Sequence, residues 1–389
     1  MIFPPKDPQK IRVVFLIRSL FFGGAERQLL TLVKDMNNDA FDIIILCYYK
    51  GGELEAEFLK TGIPIISLEK SGRWDVFPFF SKLFRILRDL QPEILHSYLS
   101  MSNILAVMVK GIMGKVKVIL GVRHAYMDLT KYDLLTRLVY KMEMWLSYFA
   151  DLIIVNSYAG KSNHIRNGFA SKKMVVIPNG IDTDQYYPSP AEGWEMRDRL
   201  GISHKVQVVG LVGRLDPVKD HATFLKAAAE VLRKKPDVKF ICVGDGDAAY
   251  RASLQNLAQD LGISDGIILL TGQKNIRAVY NALDILCSAS IGESFSNAIA
   301  EAMACGVPCV VTDAGDSGIL VEDYGTVVPV GDVENLAAGL ARMLDLSEKE
   351  RHTLGMKNRK RIEENFSVDR MVKRTEIALI NLTKGIIEE

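Results

Sequence analysis

Val206-Gln-Val-Val-Gly-Leu-Val-Gly-Arg-Leu-Asp-Pro-Val-Lys-Asp220 begins as an apolar, β-branched run and breaks into a polar loop carrying glycine and proline. Behind it, residues 221–234 space their apolar side chains as a helix does. Strand, loop and covering helix in that order make a βα unit. It is not the first in the chain. Apolar runs at 11–17, 42–47, 64–67, 94–97, 117–121, 152–156 and 173–177 precede it, with helical stretches at 24–36, 52–60, 76–90 and 102–113 between them. Pro178-Asn179-Gly180 then marks a turn. From Val206 the alternation restarts, through strands at 238–243, 267–271, 285–288, 307–312 and 325–328. The intervening helices are read at 248–261, 276–283, 297–304 and 332–344, followed by a long helical region. Strands rich in Val, Ile and Leu that alternate with helices predict parallel sheets covered on both faces. The chain therefore reads as α/β, with two Rossmann-like doubly wound domains facing across a cleft at the carboxyl ends of their strands. The expected domains are 1–178 and 179–370, with 371–389 a closing helix that can cross back to the first.

A length of 389 residues suits two domains. Residues 1–180 hold 24 Lys and Arg against 16 Asp and Glu, and the remainder holds 24 against 31. A basic half followed by an acidic half points either to an anionic partner on the first half or to complementarity between the two domains. The anionic partner could be a membrane surface or a phosphorylated acceptor. Cys47, Cys242, Cys287, Cys305 and Cys309 lie in or beside apolar runs without C-x-x-C spacing, as reduced, buried thiols do. The first apolar run is broken by Arg18, so it does not read as a signal peptide, and no run reaches the length of a membrane span. The expected location is cytoplasmic, with peripheral contact at the inner leaflet as an option. Residues 77–90 sharpen that option. Phe80, Leu83, Phe84, Leu87 and Leu90 share a helix face margined by Lys82, Arg85 and Arg88, which fits an interfacial helix or one covering a sheet.

Four stretches carry chemistry. Arg18-Ser-Leu-Phe-Phe-Gly-Gly-Ala-Glu-Arg27 follows the first strand and opens a helix. Gly23 and Gly24 there allow positive φ and close approach of backbone amides, which suits phosphate or sugar oxygens as well as an ordinary turn. On the loop after Val212, Arg214 and Lys219 are two cations at a sheet's carboxyl end, able to neutralise a diphosphate, Arg by forked bonds and Lys as a point charge. Ile291-Gly-Glu-Ser-Phe-Ser-Asn-Ala-Ile-Ala-Glu301 places Glu293 before a helix capped by Ser296 or Asn297. Its amides from Phe295 to Ala298, with Ser294 beside them, would point at an anion. Glu301 lies eight residues on, a helical rise of about 12 Å, so the two acids would grip different parts of one long ligand. His124, in Gly121-Val-Arg-His-Ala125, sits just past a strand, where it could donate to a substrate hydroxyl or serve packing alone. The histidines show no metal-ligand spacing, so no metal and no cofactor are expected. Gly244-Asp-Gly-Asp247 lacks the third glycine of a dinucleotide fingerprint and reads as a turn near the cleft.

Taken together, Val212-Gly-Arg-Leu-Asp-Pro-Val-Lys219, Val243-Gly-Asp-Gly246 and the E-x7-E stretch running on to Pro308 resemble the family-4 glycosyltransferases, retaining enzymes of the GT-B fold. That resemblance implies an acceptor-binding first domain and a nucleotide-sugar-binding second one. It implies that Arg214 and Lys219 hold the donor diphosphate, Glu293 the transferred sugar and Glu301 the ribose. The amides of Phe295, Ser296, Asn297 and Ala298 would meet the distal phosphate and sugar, Gly24 would approach from the facing domain, and His124 would contact the sugar. Ser294 and Ser296 depart from the Gly and Pro common in the motif. Ser-Phe-Ser-Asn resembles the capsule and O-antigen assembly members, which implies a UDP-sugar donor, a saccharide or lipid-linked acceptor, and no nucleic acid partner. The implied mechanism is metal-independent, the departing diphosphate being met by cations and helix amides. The alternatives are a non-catalytic nucleotide-sugar or glycan-binding protein of this fold, and a glycogen- or sucrose-synthase-like transferase.

Overall fold

The computed structural model describes residues 5–72, 75–123 and 133–386. Two compact units divide it, residues 1–180 with 368–389 and residues 181–367.

In the first unit seven parallel strands form one sheet: β1 (Ile11–Ile17), β2 (Phe41–Cys47), β3 (Ile65–Ser67), β4 (Ile94–Tyr98), β5 (Lys117–Val122), β6 (Leu152–Val155) and β7 (Met174–Val176). Their order is β3-β2-β1-β4-β5-β6-β7, so the direction of winding reverses between β1 and β4. The helices are α1 (Gly24–Asp35), α2 (Glu55–Lys60), α3 (Val76–Leu90), α4 (Ser100–Met113), α5 (Leu134–Leu146) and α6 (Tyr158–Arg166). Alternation along β1 sends Val14 and Leu16 into one apolar layer with Leu83 and Leu87 of α3. Val13 and Phe15 enter the opposite layer, with Leu29 and Leu32 of α1.

That layering decides between the two readings of α3, in favour of a helix covering the sheet and against an interfacial one. Its buried face is Phe79, Leu83, Ile86, Leu87 and Leu90, packed on the sheet, and Lys82 pairs with Glu69 at 2.9 Å. The basic margin is what a sheet-covering helix leaves in solvent. α5, which the sequence pattern did not predict, is built the other way round. Tyr140 and Glu143 face inward, Glu143 accepting from Asn103 of α4 at 2.6 Å, and burial raises the Glu143 pKa.

The second unit holds β8 (Val208–Val212), β9 (Lys239–Val243), β10 (Ile267–Leu270), β11 (Ile285–Ser288), β12 (Cys309–Thr312) and β13 (Thr326–Val328), all parallel, in the order β10-β9-β8-β11-β12-β13. Winding reverses here between β8 and β11. Around the sheet lie α7 (Pro190–Arg199), α8 (His221–Lys234), α9 (Ala248–Asp260), α10 (Ile276–Ala282), α11 (Asn297–Ala304), α12 (Ser317–Val321), α13 (Val333–Asp345) and α14 (Glu348–Asn365). α15 (Val368–Lys384) belongs to the first unit, where Val368, Met371 and Leu379 join the layer under α1. All five cysteines are free and buried. Among the described residues no helix is long and apolar enough to cross a membrane.

Candidate active site

The loops after β8 and β11 emerge side by side where the winding of the second sheet reverses, the place doubly wound sheets keep for ligands. The loop after β8 is pinned from three directions. Leu215 N–H donates to the Asp245 carbonyl at 2.8 Å, and Leu215 pairs with Gly246. A Cβ on Gly244 or Gly246 would run into the backbone of Gly213 or Leu215, so these glycines serve close approach, and Gly244-Asp-Gly-Asp247 is a brace for the loop. Asp247 also caps α9 by accepting from Tyr250 N–H at 3.0 Å. Asp216 accepts from Val218 N–H at 3.0 Å and from Arg214 at 2.9 Å. Asp220 takes left-handed backbone, φ 47°, and caps α8 through Thr223 N–H.

The loop after β11 is fastened to the first. Ile291 N–H donates to the Val218 carbonyl at 2.9 Å, and Thr312 Oγ1 to the Ser290 carbonyl at 2.6 Å. Asp316 N–H donates to the Ser294 carbonyl at 3.0 Å. Gly315, at φ +59°, lies so close to the Glu293 carbonyl that a side chain would collide with it. Held this way, Glu293 accepts from Lys219 Nζ and, at 2.8 Å, from Ser290 Oγ.

The predicted residues divide as follows. Lys219 and Glu293, 74 positions apart, form one ion pair, and Arg214, 74% exposed, pairs with Asp216 on its own loop. Phe295 is buried against Phe366, with ring centroids 5.6 Å apart. Ser296 occupies the N-cap of α11 without a side-chain capping bond, and Asn297 and Ala298 open its first turn. α-Helical geometry leaves the amides of that turn without a carbonyl in their own helix. Glu293 is not on the helix, so the expected 12 Å helical rise to Glu301 does not apply. Glu301 is buried on α11 and accepts from Tyr280 OH at 2.8 Å, which meets the cost of placing an acid among apolar side chains. His124 lies outside the described residues.

In the first unit, Gly23 and Gly24 do not use positive φ. Gly23 is extended, at φ −154°, and Gly24 is the first residue of α1. At Gly23 smallness matters, because the Glu26 carboxylate folds back over it, whereas among the described residues nothing lies within 4 Å of a Cβ built on Gly24. Burial raises the Glu26 pKa, opposed by a bond to its backbone.

Sequence reading missed Ser290, Asp216, Tyr280 and Gly315, whose importance appears only once the two loops are adjacent. It also missed His221, the first residue of α8. That ring is buried against Tyr250, neither nitrogen has a hydrogen-bond partner among the described residues, and burial first, then Lys219, lowers its pKa to about 4. Among the described residues no group of three or more His, Cys, Asp or Glu is placed to hold a metal ion.

Two family models match in series, "Glycosyltransferase Family 4" over residues 22–185 and "Glycosyl transferases group 1" over 192–361. The chain is 26% identical to the UDP-Gal:alpha-D-GlcNAc-diphosphoundecaprenol alpha-1,3-galactosyltransferase of Escherichia coli, across 96% of this chain and 97% of that one. It is also 26% identical to the N-acetylgalactosamine-N,N'-diacetylbacillosaminyl-diphospho-undecaprenol 4-alpha-N-acetylgalactosaminyltransferase of Campylobacter jejuni, across 85% and 89%. HepE of Anabaena, solved with UDP-glucose, superposes with a TM-score of 0.82 at 22% identity, covering 95% of this chain and all of that one. The fold is thus GT-B, the two-sheet architecture of a large class of sugar-transferring enzymes. The chain belongs to glycosyltransferase family 4 and is a retaining transferase of the hexosyl type.

Proposed function

We propose that this enzyme moves a sugar from a UDP-sugar onto an oligosaccharide carried by a lipid diphosphate, as one step in building a polysaccharide. The observation that carries the reading is the Lys219–Glu293 pair, held where the second sheet reverses and beside the first turn of α11. The acceptors named for the Escherichia coli and Campylobacter relatives, sugars on undecaprenyl diphosphate, support the lipid carrier.

In this reading the donor rearranges the pair. A diphosphate outcompetes one carboxylate for Lys219 because it offers more charge and more acceptor oxygens. Lys219 then turns to the phosphates, Arg214 leaves Asp216 to join it, and the amides from Phe295 to Ala298 receive the distal phosphate. Glu293, released from Lys219, accepts from hydroxyls of the transferred sugar, and Glu301 meets the ribose. As the bond between the anomeric carbon and the phosphate oxygen lengthens, its electron pair goes to the diphosphate, where these cations and dipoles already point. The acceptor hydroxyl attacks from the face the diphosphate is leaving and gives its proton to the departing phosphate oxygen. Configuration at the anomeric carbon is kept.

The test is a matrix of UDP- and GDP-sugars against undecaprenyl-diphosphate-linked mono- and disaccharides, read by mass spectrometry of the lipid product. The expected result is a mass gain of one sugar from a UDP-sugar only. Transfer from GDP-sugars alone, or to free saccharides with lipid-linked ones left untouched, contradicts it.

A further inference from the structure

α5 turns Met144 and Leu146 partly against the core but carries most of its large apolar side chains on the outside. Leu134, Leu138, Met142 and Trp145 recur at helical spacing along its solvent face, and Phe149 continues the line in the turn that follows. Leu134 is 83% exposed, Trp145 72% and Phe149 64%. The inward face is settled by other residues, Tyr140 in the core and Glu143 bonded to Asn103, so the stripe is not a core face that failed to pack. Met108 and Ile112, also exposed, lie on α4, the helix that neighbours α5 through the Asn103–Glu143 bond. A contiguous apolar surface of this kind on a folded unit marks an interaction site.

Charge chooses the partner. From Leu134 to Phe149 the one acid is Glu143, which is buried, while Lys141 is exposed in the middle of the stripe. Lys173 donates to the Tyr148 carbonyl at 2.6 Å, bringing exposed Lys172 to the edge of the stripe, and exposed Lys115 follows α4. Trp and Tyr beside basic side chains, on a helix whose outer face is apolar, match the boundary between lipid headgroups and acyl chains.

We propose that the α5 face, from Leu134 to Phe149 with Met108 and Ile112, is the surface by which this enzyme docks on an anionic lipid bilayer. Trp145 and Phe149 enter the acyl boundary, and Lys141, Lys172 and Lys115 meet headgroup phosphates. The inference rests on the lipid-linked-acceptor reading for choosing a bilayer over a second copy of the chain. It transfers to α5 the role that the sequence pattern had suggested for α3.

Flotation of the full chain with vesicles of equal parts phosphatidylglycerol and phosphatidylcholine tests it, with phosphatidylcholine alone as control. The wild type is expected to float with the anionic vesicles at low salt and not with the neutral ones. The L138E/W145E pair should abolish flotation, and K141E/K172E should weaken it roughly tenfold or more. Calorimetric UDP affinity, measured on the same samples, should be the same in all three proteins, which separates this test from that of the donor site. Wild type that stays down with anionic vesicles, or flotation indifferent to both variants, overturns the proposal. So does a wild-type dimer in light scattering that L138E/W145E dissolves without any effect on flotation, because the stripe would then belong to a second copy.

Discussion

Removing Lys219 and removing the charge of Glu293 should have opposite effects on nucleotide binding, though the two side chains form one ion pair. Both are largely buried, Lys219 being 25% exposed and Glu293 10%. Lys219→Ala deletes a charge-assisted bond to the diphosphate, worth about 1.5–3 kcal/mol, so UDP affinity should fall roughly 10- to 150-fold. It also leaves the Glu293 carboxylate with the Ser290 hydroxyl in place of an ion pair, at a stability cost of about 1–3 kcal/mol. For a unit of this size that lowers Tm by roughly 2–4 °C per kcal/mol, so the variant stays folded at 25 °C. Glu293→Gln keeps the shape and the Ser290 bond but removes the charge that holds Lys219 away from a phosphate. UDP affinity should therefore hold or improve, while kcat/KM for transfer falls, because the sugar loses its anionic acceptor. Calorimetry with UDP, followed by initial rates with the full donor, measures both. Unchanged UDP affinity in Lys219→Ala, or a parallel loss of UDP affinity in Glu293→Gln, would refute the exchange of partners.

Transfer activity should survive EDTA, since cations of the chain and helix amides meet the leaving charge; a complete loss restored by Mg²⁺ or Mn²⁺ would count against that. Gly315→Ala should cut kcat/KM at least tenfold, because φ +59° and the Glu293 carbonyl leave no room for a side chain; unaltered kinetics would show the loop to be tolerant. His221 has its folded pKa lowered from 6.5 to about 4 by burial. The unfolded chain therefore binds the extra proton between those values, and stability falls as pH drops through that window. His221→Leu should flatten the acid limb of Tm between pH 6.5 and 4, and an unchanged slope would assign that limb to other groups.

The sheets were legible because parallel strands buried on both faces write themselves as apolar runs, and every strand so read is present within one or two residues at its ends. Helix faces were less so. Periodicity shows that α3 has an apolar stripe but not what covers it, and the sheet does. In α5 the fully buried positions are a tyrosine and a glutamate while most of its large apolar side chains face out, so a rule that turns apolar residues inward misreads it. At the site, residue types announced the chemistry on each loop. The pairing of Lys219 with Glu293, of Tyr280 with Glu301, and the fit of Gly315 under Glu293 depend on strands brought together across the sheet. Gly23 was legible as small, but not for the reason that applies: it leaves room for the Glu26 carboxylate rather than adopting positive φ.

A structure of the chain with an intact UDP-sugar would show whether the donor takes Lys219 from Glu293. The diphosphate is expected between Lys219, Arg214 and the first turn of α11, with Lys219 moved off Glu293 and Glu293 on hydroxyls of the sugar. A bound donor that leaves the Lys219–Glu293 pair closed, with its phosphates elsewhere, would contradict it.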